Sequence, residues 1–156
     1  MLAEFIVASA LNITETLREE WDEYDLISKK GLKIEVKSSA YLQSWEQKEL
    51  SKITFSVAPT GETQNRYAKK TRKSDVYVFC VLAHKDKKTV NPLDLSQWEF
   101  YILRTKVLNK KIGEQKTITL SSLLRLNPVK VKYAGIKSEI KRIEKKIKKV
   151  TSKANR

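Results

Sequence analysis

The chain has 156 residues, 40% of them hydrophobic, and 32 Lys plus Arg against 18 Asp plus Glu give a formal charge of +14. That length suits one domain around one core, and the apolar share excludes a wholly disordered basic tail. A single cysteine, Cys80, excludes a disulfide scaffold and a cysteine metal cage, and no run approaches the length of a membrane span.

The charge excess favours a polyanionic partner, with nucleic acid foremost. Charge alone does not separate DNA, RNA and an acidic lipid surface. The opening run MLAEFIVASALNI lacks a basic flank and is interrupted by Glu4, so it reads as part of the fold rather than as an export signal. With neither signal nor disulfides, the expected location is cytoplasmic.

Leu2, Phe5, Ile6 and Ala10 fall near helical spacing, which predicts an N-terminal amphipathic helix over residues 2–11 packed on a sheet. Residues 12–20 are polar and read as a loop or short turn. Two strands are expected next, over 21–28 and 32–41, with Lys29-Lys30-Gly31 as a three-residue hairpin turn and glycine at its left-handed position. In the second strand Leu32, Ile34 and Val36 face one way, and Lys33, Glu35 and Lys37 the other. ITFSV at 53–57 reads as a third strand, followed by a basic stretch over 62–73 that holds a short helix, an exposed mobile loop or both.

DVYVFCVLAH, 75–84, is apolar on both faces and marks a central strand with helices on both sides of its sheet. Within it, Cys80 is expected to be a buried, inert thiol. A further strand is predicted over 98–108, a helix over 117–126 capped by Thr119 or Ser121, and a lysine-guarded edge strand over 129–133. Ile136, Ile140, Ile143, Ile147 and Val150 then form the apolar stripe of a basic helix over 136–150. That stripe is expected to cover either its own domain or a second copy, leaving the lysine face for phosphates.

The sharpest constellation is Asp25, Glu35 and Lys37. A hairpin centred on Lys30 sets position 25 across from position 35, and facing residues have Cβ atoms about 4.5–5.5 Å apart. Two carboxylates so placed repel unless compensated, and a divalent cation such as Mg²⁺ compensates while keeping water ligands. Lys37 shares the face of Glu35, where it would hold or deprotonate a water or neutralise charge on a phosphate. As an ordinary solvent-facing strand, the same residues would be simple alternating charges.

The segment EYDLISKKGLKIEVKSSAY resembles the core of the PD-(D/E)xK nuclease superfamily, the restriction-endonuclease-like fold. In that family a helix precedes a hairpin carrying the acid and the D/E-x-K motif, and a strand, a helix and a further strand complete the core. The resemblance implies an α/β domain with a central mixed sheet flanked by helices, spanning about the first 84 residues at fold level. Segments 98–111 and 115–133 also look similar to C-terminal parts of restriction-endonuclease-like bacterial proteins.

By that likeness Asp25 and Glu35 are metal-binding acids and Lys37 the catalytic lysine. Glu4 matches the extra first-helix glutamate of many members, and Gln43 or Gln47 the glutamine that some carry. The family's usual proline is replaced by Tyr24. Asp22 and Glu23 compete with Asp25 for the first acidic role, and a one-residue slip of the hairpin would exchange them. His84 reads as a strand-end polar residue with a general base as the alternative, Asp75 as a support of the site or a turn cap, and Tyr67 among the basic residues 66–73 as a base-stacking side chain or part of a merely solvated loop.

The sequence therefore predicts one domain over 1–156, a Mg²⁺- or Mn²⁺-dependent endonuclease acting on DNA. A homodimer would serve double-strand cutting. The alternatives are a structure-specific repair or junction nuclease, a non-catalytic DNA-binding module of the same fold, and an interaction protein whose basic helix meets an acidic partner.

Overall fold

The computed structural model describes residues 2–14, 24–61, 67 and 69–155. Helix α1 (Leu2–Ala10) precedes the short strand β1 (Leu26–Ile27) and the long strand β2 (Lys33–Ala40). Then come β3 (Thr54–Ser56), β4 (Val76–Leu82), β5 (Trp98–Arg104) and α2 (Thr105–Ile112). Strand β6 (Thr117–Thr119), α3 (Leu120–Leu124), β7 (Val129–Val131) and α4 (Tyr133–Ala154) complete the chain.

A five-stranded mixed sheet runs β1-β2-β4-β5-β7, with β2 and β4 parallel and the other pairs antiparallel. Strand β4 lies at its centre, and all seven of its residues are buried. Val76, Val78, Cys80 and Leu82 enter one apolar cluster with Ile6 and Val7 of α1 and Ile136, Ile140 and Ile143 of α4. Tyr77, Phe79 and Val81 enter a second cluster, with Phe55 of β3, Ile118 of β6, Leu108 of α2 and Leu123 of α3. The fold is thus an α/β mixed sheet flanked by helices, as expected. Burial of the Cys80 thiol raises its pKa, in line with an inert core role.

One strand gains the partner that the sequence left open, and three local expectations are corrected. Strand β3 leaves the main sheet and pairs with β6 in a separate two-stranded sheet, held to β4 by an edge-on contact of Phe55 with Phe79 at 5.0 Å. Strand β5 ends at Arg104, and residues 105–108, expected as strand, begin α2. Residues 117–119 are strand, and α3 is confined to the five residues after its Thr119 cap. On α1, Ala3, Ile6, Val7 and Ala8 are buried, whereas Phe5 is 62% exposed and Leu2 is 38% exposed. The small alanines let the helix approach the sheet, and Phe5 sits off that line of contact.

Other expectations match the structure. Gly31 has φ 86°, β2 alternates as read, and β7 is the edge strand. Helix α4 is longer than expected, and its stripe at Ile136, Ile140 and Ile143 covers its own domain. Residues 15–23, including Asp22 and Glu23, and residues 62–66 lie outside the described residues, as does the Val150 side chain. Among the described residues no helix is long and apolar enough to cross a membrane.

Because the isoleucine stripe of α4 is core, Ile140→Ala should cost about 2–5 kcal/mol in chemical denaturation. Lys141→Ala, one position away on the exposed side, should stay within about 0.5 kcal/mol. Equal effects would mean that α4 does not seal the sheet.

Candidate functional site

The hairpin has the register expected from its sequence: Leu26 pairs with Ile34 and Ile27 with Lys33. Ser28 N–H donates to Leu32 O at 2.9 Å and Gly31 N–H to Ser28 O at 2.9 Å, closing the three-residue turn. Asp25 stands just outside the ladder. Its N–H donates to Ile34 O at 3.1 Å, and its carboxylate Oδ2 accepts the Val36 N–H at 2.8 Å. The strand expected over 21–28 is therefore only two residues long where it is described, because the Asp25 side chain takes the place of a backbone partner. That bond also fixes a 9% exposed carboxylate against the middle of the D/E-x-K segment.

Glu35 and Lys37 project from the same face of β2 and form an ion pair, with Lys37 Nζ 2.8 Å from Glu35 Oε1. The second Glu35 oxygen accepts the Ser74 hydroxyl at 3.2 Å. Tyr77 is the strand partner of Glu35 in the parallel pair β2–β4. Burial, then the charge of Glu35, pushes its phenol up to about 12; Asp25 adds to the rise and Arg72 opposes it. Both carboxylates and the Arg72 guanidinium thus surround one buried phenol.

Arg72 anchors the far side of this site. Its guanidinium donates to Val57 O at 2.8 Å, Asn109 Oδ1 at 2.9 Å, Gly113 O at 2.7 Å and Gln115 O at 3.1 Å. These acceptors are all neutral, so a buried positive charge is held in place by carbonyl and amide dipoles. Desolvation lowers its pKa from the usual arginine range. A cavity of about 270 Å³ beside it is lined by Lys69, Lys70 and Thr71 as well as Arg72 and Asn109. The described part of the basic stretch therefore lines a cavity around Arg72, with Glu114 at its edge.

The remaining sequence candidates divide clearly. Glu4 is half-buried in the first turn of α1, a helix that packs on β2. Gln43 and Gln47 build the loop after β2: Gln47 Oε1 accepts Gln43 N–H at 2.7 Å, while its amide donates to Tyr41 O and Ser51 Oγ. Those bonds give both glutamines a loop-forming task. Asp75 Oδ2 accepts Lys33 N–H at 2.8 Å, tying the start of β4 to β2. His84 pairs with Thr89 at a strand end, and Tyr67 is exposed.

Among the described residues no group of three or more His, Cys, Asp or Glu side chains gathers as a metal site. Asp25 and Glu35 are the two carboxylates that the hairpin brings toward Tyr77. Their hard oxygens suit a cation that keeps most of its shell as water. Sequence reasoning missed Ser74, Tyr77 and the central place of Arg72. Each follows from β4 lying parallel beside β2, a pairing that no local pattern encodes.

A comparison with known families matches residues 1–122 to the family described as Bacteriophage T4 endonuclease IV. No curated protein and no solved structure matches. The matched span includes Asp25, Glu35, Lys37, Ser74 and Tyr77 together with Arg72 and all of α2.

The buried phenol gives a pH test. Its ordinary value is 10.0, so the unfolded chain ionises above that pH while the folded chain keeps Tyr77 protonated to about 12. Its contribution to stability is complete below pH 10 and is lost as pH rises toward 12. Tyr77→Phe should therefore flatten the fall of the urea midpoint across that window. An unchanged slope would remove Tyr77 as a source of the alkaline loss.

Proposed function

The chain belongs to the Bacteriophage T4 endonuclease IV family, and on that footing we propose that it is a metal-dependent DNA endonuclease whose centre is Asp25, Glu35 and Lys37. The observation that carries the reading is the hairpin geometry. Asp25 is locked onto the Val36 N–H, and Glu35 is held between Lys37 and Ser74.

Asp25 and Glu35 would hold Mg²⁺ or Mn²⁺ with water filling the rest of the shell; Glu4, expected as a third donor, does not gather with them, because α1 packs on the Ile34–Val36 face of β2. Bound there, the cation would polarise a phosphate oxygen and lower the pKa of a coordinated water. Lys37, an ammonium beside Glu35, would donate hydrogen bonds that orient the attacking water and offset charge growing on the phosphate. Ser74 keeps the second Glu35 oxygen in place. Water oxygen would form the new bond to phosphorus and give up a proton to solvent, the P–O ester bond on the opposite side would break, and the leaving alkoxide would take a proton from solvent. No covalent enzyme intermediate is needed.

The restriction-endonuclease-like D/E-x-K pattern supports the same assignment, since an acid, an E-x-K strand and a parallel buried neighbour occur in that order. The surplus of lysine and arginine supports DNA as the partner, through phosphate contacts. Each chain carries one such centre, so cutting both strands calls for a second copy or a second encounter.

Supercoiled, linear, single-stranded and branched DNA should be tested with Mg²⁺, with Mn²⁺ and with chelator. Cleavage should need the metal. Glu35→Gln or Lys37→Ala should lower the rate by about 10²–10⁴-fold while oligonucleotide binding changes little. Cutting in chelator, or full activity in Glu35→Gln, would contradict the mechanism. Absence of cutting on every substrate would leave a DNA-binding module of the same fold.

A further inference from the structure

A second cavity of about 270 Å³ lies where β4 begins and α2 starts. Arg72, Ser74, Arg104, Thr105, Lys106 and Asn109 line it. Ser74 connects it to the carboxylates, because the same hydroxyl donates to Glu35 Oε2 at 3.2 Å. The cavity therefore opens beside the centre assigned above.

Three independent features of this cavity suit an anion. Its cations have no carboxylate partner of their own: Arg72 is held by neutral acceptors, and among the described residues Arg104 and Lys106 form no ion pair. At the start of α2 the Thr105 N–H is engaged by Asp75 O at 3.0 Å, and Arg104 at the N-cap adds no side-chain hydrogen bond for the Lys106 and Val107 amides. Orphan N–H groups and the helix dipole favour negative charge at such an end. Finally, Thr105 is 4% exposed, and its Oγ1 has no hydrogen-bond partner among the described residues. A buried hydroxyl left without a partner costs stability, so it marks a group waiting for an acceptor.

One negative group also lines the cavity. The Asp75 carboxylate lies there, but its Oδ2 is already engaged by the Lys33 N–H at 2.8 Å. Three cations against one partly satisfied carboxylate leave the cavity positive.

We propose that this cavity is a phosphate-binding subsite, which takes a DNA phosphodiester flanking the one that is cut. The assignment rests on the endonuclease reading for its place in the reaction, and on the cavity alone for its affinity for phosphate. Arg104 and Lys106 supply charge and hydrogen bonds, the α2 N-terminus supplies backbone donors, and Arg72 supplies fixed positive potential from behind. Ser74 then links the bound strand to Glu35.

The double variant R104Q/K106Q is the test, with K106Q alone as the variant least able to disturb the fold, since Lys106 is exposed. Inorganic phosphate titrated into the wild-type chain should give saturable amide shifts at Thr105, Lys106 and Val107, absent from R104Q/K106Q. In DNA cleavage the double variant should raise KM about tenfold with kcat nearly unchanged, and K106Q should raise it by a smaller factor. On a catalytically silent E35Q background, the slope of log affinity against log salt should fall by about 0.7–0.9, the value for one lost phosphate contact. K88Q, an exposed lysine in a turn beyond the other end of β4, should change none of these. Phosphate shifts in a chain that cuts no DNA would sink the endonuclease reading and keep the subsite. Cleavage with unchanged KM in R104Q/K106Q, or no saturable shift at those amides, would overturn the subsite.

Discussion

Ser28 and Leu32 meet around Lys29–Gly31, and the positive φ of Gly31 lets the chain reverse in three residues. That turn sets the register of Leu26 against Ile34, and the register decides which acids can meet. A slip of one residue would send every side chain of β2 to the opposite face. Ile34 and Val36, buried against α1 and α4, hold the register in place, because a slipped strand would bury Glu35 and Lys37 among them. The apolar core on one face of β2 therefore positions the charged chemistry on the other.

Strand β4 transmits this order across the molecule. Its even-numbered residues seal one cluster and its odd-numbered residues the other, so neither face can shift alone. Lying parallel to β2, it delivers Ser74 and Tyr77 to Glu35 from its N-terminal end. Arg72, just upstream, then binds carbonyls of two separate segments, Val57 and the Gly113–Gln115 turn after α2. The small β3–β6 sheet and the end of α2 are thereby tied to the same point.

Much of this was legible because it is local. The Gly31 turn, the alternation of β2, the two-sided apolar run of β4 and the isoleucine stripe of α4 each reside in one short stretch of sequence. Non-local pairing was less legible. Nothing in ITFSV says that its partner is TIT after α2, so the sequence left β3 without a partner. Val107 and Leu108 prolonged an apolar β-rich run, and the helix beneath them showed only in Gly113, whose φ of 53° closes α2. On α1, two alternative stripes share Ile6, and small alanines rather than Phe5 won the contact. The triad Asp25, Glu35 and Lys37 was legible from spacing, while Ser74, Tyr77 and Arg72 needed the neighbouring strand.

The central claim is that Asp25 and Glu35 together hold the cation that the cleavage needs. Titration calorimetry of Mn²⁺ into the folded chain tests it without DNA and without turnover. The account predicts saturable binding in the wild type, and loss of most of it in both Asp25→Asn and Glu35→Gln while each variant keeps its fold. Equal Mn²⁺ binding by the wild type and both variants would contradict it.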